Sequence, residues 1–279
     1  MSDIRPKKVG GLKMNKRLII AGIIMSVFMW HVGFKGYALG VEEIVDRANR
    51  VAYYEGNDGM AEVNMVITDS QGRQRVREFT ILRKDVQDGG EQKFYVYFYK
   101  PEDVRDMVYM VWKHIGRDDD RWLYLPALDL VRRIAATDKR SSFVGSHFVY
   151  EDVSGRGINE DTHELVGEEN GCYKIKNIPK NKKYVEFAYY YIWIRKDNFM
   201  PVKAEYYDSS GKKYRVIEAL KVEDIQGHPT ITEMKASDLN SGGNTIIKYN
   251  KIQYDISLTD DIFTERYLRR PPAKWIKRR

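Results

Sequence analysis

From Glu62 to Asp255 the chain reads as short strand-like runs separated by turn residues, and this succession limits the fold more than any other feature. Runs are predicted over 62–68, 73–83, 94–99, 107–114, 121–125 and 131–135, and then over 163–168, 172–178, 184–195, 201–207, 213–223, 230–238 and 244–255. Asp69-Ser70-Gln71-Gly72, Asp208-Ser209-Ser210-Gly211 and Ser241-Gly242-Gly243-Asn244 are turn sequences between such runs. Gly tolerates the backbone angles of a reversal, and Asp, Asn and Ser supply its local hydrogen bonds. Consecutive strands joined by tight turns pair antiparallel. A sheet of ten or more strands must curl or close on itself.

Ahead of the strands, Val41, Ile44, Val45, Ala48, Val51 and Ala52 fall at helical spacing, and Gly56-Asn57-Asp58-Gly59 ends the pattern. One helix covers only part of the concave face of a curled sheet. The rest of that face is either filled by side chains or open as a cavity. Residues 137–160 read as an irregular loop, and the absence of a Pro/Gly/Ser linker argues for one domain over residues 39–265.

Residues 14–38 carry an export signature. Lys16 and Arg17 precede an apolar run from Leu18 to Trp30, and Gly36 and Ala38 stand at the small-residue positions of a cleavage site. The run is short of the roughly 20 residues that a spanning helix needs. Cleavage after Ala38 and a periplasmic location are expected, with Met14 a candidate start. Cys172 is the single cysteine, so there is neither a lipid-attachment cysteine after the apolar run nor a disulfide framework. The chain holds 47 Lys+Arg against 40 Asp+Glu. Seven of those basic residues and one acid precede Leu39, so the remainder is near neutral and gives no footprint for nucleic acid.

Aromatic residues make up 13% of the chain, including 20 tyrosines, and they concentrate in the run 184–195. By alternation Val185, Phe187, Tyr189, Tyr191 and Trp193 share one face, and Ala188, Tyr190, Ile192 and Ile194 the other. An antiparallel strand with one wet face alternates apolar and polar residues, and this one does not. Either it lies in an ordinary core or one face walls a cavity. Tyrosine suits such a wall, having an apolar ring and a polar tip.

Three stretches carry a family resemblance: Asp120-Arg121-Trp122-Leu123-Tyr124-Leu125-Pro126, Val131-Arg132-Arg133-Ile134, and Ser141-Ser142-Phe143-Val144-Gly145-Ser146-His147-Phe148-Val149-Tyr150-Glu151-Asp152. The segments 197–208 and 261–268 agree with them. Together they resemble the outer-membrane lipoprotein-sorting (LolA-like) proteins, and more narrowly the branch that often accompanies RND-type exporters. The resemblance implies a mainly β fold: a strongly curved, unclosed antiparallel half-barrel with one or a few helices over an apolar hollow. It also implies a periplasmic carrier of lipid or lipoprotein acyl chains, working with a membrane exporter. A non-enzymatic envelope sensor on the same fold is the alternative.

On this reading Trp122, Tyr124, Phe143, Phe148, Phe187, Tyr189, Tyr191 and Trp193 are the candidate lipid-binding residues. Arg132, Arg133, Lys274 and Trp275 are the candidates for a headgroup or partner contact. The tail 266–279 joins seven basic residues to Trp275 and Ile276, and Pro271-Pro272 predicts that its last seven residues hang free of the domain. Gly145 is expected to serve a tight loop at positive φ. There is no His-Glu-x-x-His, Gly-x-Ser-x-Gly, Cys-x-x-Cys or phosphate-cradling glycine loop, so neither enzyme nor cofactor is expected. Glu160-Asp161-Thr162-His163-Glu164 is the densest polar cluster and reads as a solvated turn. A monomer is expected.

Overall fold

The computed structural model describes residues 39–276, so the expected export segment and residues 277–279 lie outside the described residues. The helix α1 (Val41–Tyr53) comes first. Six strands follow: β1 (Asp58–Thr68), β2 (Gln74–Asp85), β3 (Gln92–Lys100), β4 (Val108–Lys113), β5 (Asp120–Leu125) and β6 (Leu130–Arg133). An irregular stretch then contains the short helix α2 (Tyr150–Ser154). Seven more strands complete the sheet: β7 (Asp161–Glu169), β8 (Cys172–Pro179), β9 (Tyr189–Arg195), β10 (Pro201–Tyr207), β11 (Lys213–Ile225), β12 (His228–Asp238) and β13 (Asn244–Tyr254). The helix α3 (Glu265–Arg269) lies near the end.

All thirteen strands form one antiparallel sheet in the order β6-β5-β4-β3-β2-β1-β13-β12-β11-β10-β9-β8-β7. The sheet is therefore two meanders joined at their first and last strands. β1 pairs with β2 from Asp58↔Lys84 to Thr68↔Gln74. On its other side β1 pairs with β13 from Gly59↔Tyr254 to Thr68↔Asn244, with an irregularity between Met60 and Glu62. β6 and β7 are the two edges and do not pair, so the sheet stays an unclosed, curved half-barrel, as expected. Residues 134–160 carry the chain from one edge to the other, and we call this segment the strap.

The strap and α1 cover the same face, here the inner one. α1 buries Ile44, Val45 and Ala48 against Ile175 of β8 and Ile194 of β9. Glu42 and Glu43 in its first turn complement the positive end of the helix dipole. The strap inserts Ile134, Phe143 and Phe148 among Val63, Phe79, Val96, Phe98 and Tyr109. The Phe143 ring centroid lies 5.6 Å from that of Tyr109 and 5.8 Å from that of Phe98, within the range of favourable aromatic pairing. Gly145 has a φ of 76°, as the loop reading requires.

The outer face is covered only on one side of the sheet. Leu82, Tyr95, Tyr97, Val108, Met110 and Trp122 pack there against Leu258, Ile262, Phe263, Leu268 and Ile276. The Trp112 indole donates to the Phe263 carbonyl at 2.9 Å, and the Tyr95 hydroxyl to the Tyr267 carbonyl at 2.7 Å. The tail expectation is corrected here: Ile276 is only 2% exposed and Trp275 packs beside it. Pro271 and Pro272 exclude regular structure but not burial, and two large apolar residues gain more by covering the sheet than by remaining in water.

Candidate functional site

A partly open cavity of about 270 Å³ remains on the inner face. The end of α1 gives it Val51, Ala52 and Tyr53; the central strands give it Ala61, Phe79, Ile81, Val96, Met234, Ile247 and Tyr249; the strap gives it Phe143, Phe148 and Val153. The surfaces are apolar, and the space between them stays open because strap and helix together do not fill the curve of the sheet. The few polar groups of the lining are mostly engaged. Arg83 donates to the carbonyls of Glu55 at 2.6 Å and Gly56 at 2.8 Å, and also to that of Tyr53, so it anchors the C-terminal end of α1. The Glu55 carboxylate lies 2.5 Å from Nδ1 of His228, which links the same helix end to β12. The Tyr249 hydroxyl meets Sδ of Met234 at 3.5 Å, and burial pushes its pKa up to about 12.

The strap is fastened by buried charge. Glu151 is 2% exposed and accepts from Lys139 at 2.9 Å, Arg140 at 3.0 Å and Arg156 at 3.2 Å. Burial alone would raise its pKa, but the three cations bring it down to about 2. Arg156 also reaches Asp161 of β7 at 2.8 Å, and Asp161 accepts from the Tyr190 hydroxyl at 2.8 Å. Arg140 bonds Glu186 at 2.6 Å and lies 5.1 Å from the ring centroid of Phe187. Asp152 pairs with Arg215 of β11, whose guanidinium lies 5.1 Å from the Tyr206 ring. Gly155 permits this arrangement. Its φ is 75°, and a Cβ there would sit 2.4 Å from Cζ of Tyr53.

The sequence candidates divide. Phe143 and Phe148 line the cavity. Trp122 and Tyr124 do not: register pairs Met110 with Trp122, which puts both on the outer face. There Trp122 packs 5.1 Å from Trp112, and the Tyr124 hydroxyl bonds Asp129 at 3.2 Å. Phe187 precedes β9 rather than lying in it, and it turns to the strap cations and to Tyr190 and Tyr206. Tyr189, Tyr191 and Trp193 share the outer face of β9, whereas Tyr190, Ile192 and Ile194 face inward. Lys174 covers Tyr191 and Trp193 at 5.1 and 4.8 Å, and Lys176 covers Tyr189 at 5.0 Å. Arg132 and Arg133 stand on the edge strand β6 with side chains 62% and 65% exposed. Arg133 pairs with Asp120 and lies 5.3 Å over the Trp122 ring. Lys274 lies 4.3 Å over the Trp275 ring.

Arg140, Arg156 and Arg215 escaped the sequence reading because isolated charges carry no spacing signal, and Glu151 and Asp161, though within quoted stretches, gave no sign of their partners. Their partners come from the strap, β7, β11 and the segment before β9, and only the fold brings these together. The cluster read as a solvated turn holds the buried Asp161, and His163 bonds Asn177 at 2.7 Å and the Ile158 carbonyl at 2.8 Å. Among the described residues no group of three or more His, Cys, Asp or Glu is placed to hold a metal ion, and no helix is long and apolar enough to cross a membrane.

Comparison with known proteins places this architecture. No curated protein sequence matches the chain. A domain from Vibrio parahaemolyticus named for outer membrane lipoprotein sorting is 25% identical, covering 83% of this chain and 98% of its own, with a TM-score of 0.75. A LolA superfamily protein from Nitrosomonas europaea is 19% identical over 82% of this chain and 100% of its own, with a TM-score of 0.64, and shares the fold. A family model described as uncharacterized protein matches residues 90–270. A DUF1329 family protein from Desulfovibrio piger is 31% identical, covers 82% of this chain and 98% of its own, and superposes with a TM-score of 0.75. Agreement of that extent in both sequence and backbone means that the chain belongs to the DUF1329 family.

Proposed function

We propose that the chain is a periplasmic carrier that holds the acyl chain of a lipid or lipoprotein in the inner-face cavity and moves it between envelope membranes. The observation that carries this reading is the apolar lining of a partly open cavity of about 270 Å³, bounded by a helix end and a strap rather than by the sheet alone. Its volume is near the lower bound of about 300 Å³ for small-molecule pockets. Each CH₂ taken out of water contributes about 0.8 kcal/mol. A part-buried chain therefore binds in the micromolar range and can still be released, as a carrier requires. The lipoprotein-sorting name of the Vibrio parahaemolyticus domain supports the same class of cargo. An RND-type exporter as membrane partner is the second element of the proposal. Cross-linking in the native host that recovers no membrane transporter overturns that element alone.

The test is equilibrium binding of a fluorescent fatty-acyl probe to residues 39–279. The unaltered protein is expected to bind at micromolar concentration and to release the probe to phospholipid. Met234→Trp projects a bulky ring into the cavity and is expected to weaken binding about tenfold or more. The cost in stability is about 1–3 kcal/mol, which a thermal melt reads separately. No binding by the unaltered protein at tens of micromolar probe overturns the carrier reading.

A further inference from the structure

Beside the apolar cavity, and sharing a wall with it, is a second pocket of about 480 Å³ with a polar lining. The two are neighbours along two segments of chain. In α1 and its cap, Tyr53 lines the apolar cavity and Tyr54 the polar pocket. In the strap, Asp152 and Val153 line the first, and Gly155 and Arg156 the second. The partition is the Tyr53 ring, held between Gly155 on one side and the Lys113 ammonium, 4.9 Å from the ring centroid, on the other.

Charge in the polar pocket is not balanced. Lys113 and Arg121 are both 3% exposed and lie side by side at the end of the β4–β5 hairpin. Asp119 is the carboxylate in contact with Arg121. Its Oδ2 accepts from Nη2 of Arg121 at 2.6 Å and from the Ser154 hydroxyl at 3.2 Å, and its Oδ1 accepts from the His114 backbone N–H at 3.1 Å. The Lys113 ammonium donates to a neutral acceptor, the Ser154 carbonyl, at 2.7 Å. Nε and Nη1 of Arg121 are buried and make no hydrogen bond among the described residues. The remaining cations of the wall are occupied or peripheral: Lys139 and Arg156 hold Glu160 at 2.6 and 2.9 Å, Lys180 donates to the Asn159 carbonyl at 3.0 Å, and Arg117 stands at the rim with its side chain 62% exposed. Arg121 thus holds one carboxylate with two donors left over, and Lys113 has no carboxylate within ion-pair distance, Asp119, Glu160 and Glu151 acting on it only from further away. Burial of a charge without a counter-charge is costly, and an incoming anion relieves that cost. Burial lowers the Lys113 pKa to about 8, against the opposing pull of Asp119, Glu160 and Glu151.

We infer that the polar pocket receives an oxyanion, phosphate or carboxylate, that is the headgroup of the amphiphile whose chain occupies the apolar cavity. Arg121 is the principal donor, Lys113 the second, and Arg117 the rim cation. The inference rests on the carrier reading and adds to it the charge class of the cargo. Swinging the Tyr53 ring off Gly155 joins the two chambers.

Dodecyl phosphate, dodecanol and inorganic phosphate are competed against the fluorescent acyl probe on residues 39–279, with thermal unfolding measured in parallel. Dodecyl phosphate is expected to displace the probe at about tenfold lower concentration than dodecanol, the gain of one hydrogen-bonded charge. Arg121→Gln is expected to erase that preference and leave dodecanol unchanged. Should Arg121→Gln fail to fold, Arg117→Gln at the exposed rim is expected to reduce the preference two- to threefold, and an undiminished preference there overturns the assignment. Equal displacement by the two dodecyl compounds overturns the headgroup inference and leaves the carrier intact. Failure of both to displace the probe overturns the carrier itself. Thermal stabilisation by inorganic phosphate, with no advantage of dodecyl phosphate over dodecanol, marks a site for a free anion and overturns the amphiphile assignment.

Discussion

Strands β3 and β9 look alike in sequence and end in different surroundings. Phe94-Tyr95-Val96-Tyr97-Phe98 and Tyr189-Tyr190-Tyr191-Ile192-Trp193-Ile194 are both apolar on two faces. In β3 both faces are closed: the inner by Phe79, Phe143 and Phe148, the outer by the segment 258–276. In β9 the inner face meets α1 and the strap, while the outer face is covered by lysine side chains. Lys174, Lys176 and Lys203 lie 4.8–5.1 Å from the ring centroids of Tyr189, Tyr191 and Trp193. Glu205 accepts from Lys203 at 2.7 Å, Tyr207 at 2.8 Å and Lys213 at 3.1 Å in the same layer. A strand without alternation therefore reports that both faces are covered, but not by what. A second layer of chain does it in one half of the sheet. In the other, long cationic stems lie over rings and keep their charged heads in water.

This contrast predicts unequal mutational costs for the same residue type. Tyr95→Ala in β3 is expected to cost about 3–5 kcal/mol, as for large aromatic truncations in a core, with the Tyr267 carbonyl losing its donor in addition. The shift in denaturant midpoint at constant m-value reads it. A loss below about 1 kcal/mol would mean that the segment 258–276 does not close the outer face in solution.

The next effect lies in the strap, where cover is electrostatic. The folded pKa of Glu151, about 2, lies below its ordinary value of 4.5. Its contribution to stability is therefore complete above pH 4.5 and is lost as pH falls toward 2. Glu151→Gln is expected to cost about 3 kcal/mol at pH 7, because it leaves three cations around a neutral amide. The difference from the unaltered protein should shrink as pH falls through that window. A difference independent of pH between 7 and 3 would assign the loss to packing instead.

The smallest effect is on the open face. Tyr191→Ala is expected to cost less than about 1 kcal/mol, the range of a cross-strand aromatic pair. If its cost equals that of Tyr95→Ala, the lysine layer seals as well as a layer of chain and the contrast between the halves fails.

These two strands also mark how much could be read in advance. All thirteen strands were legible, since turn chemistry such as Asp208-Ser209-Ser210-Gly211 and runs of β-branched and aromatic residues are local properties. The site was legible only where it is local too. Phe143 and Phe148 line the cavity because they belong to one contiguous stretch that folds onto the inner face. Tyr189, Tyr191 and Trp193 lie on the outer face, which alternation left open because it says which residues share a face and not which face is inner. Arg121 stands in a quoted stretch, but nothing local marks it as part of a site: it becomes notable only when Lys113, Asp119 and Ser154 gather near it.

The position of β1 at the centre of the sheet bears on the order of assembly. β1 emerges first, and its partner β13 is the last strand to be made, with Thr68 waiting for Asn244. Each meander closes by short-range hairpins, whereas the seam between them demands the longest loop closure in the domain, and such contacts set slow folding rates. Until that closure the first six strands expose one unpaired edge rich in Val, Met and Ile, which is a template for pairing with another chain. The centre of the finished sheet is thus its latest and most aggregation-exposed joint.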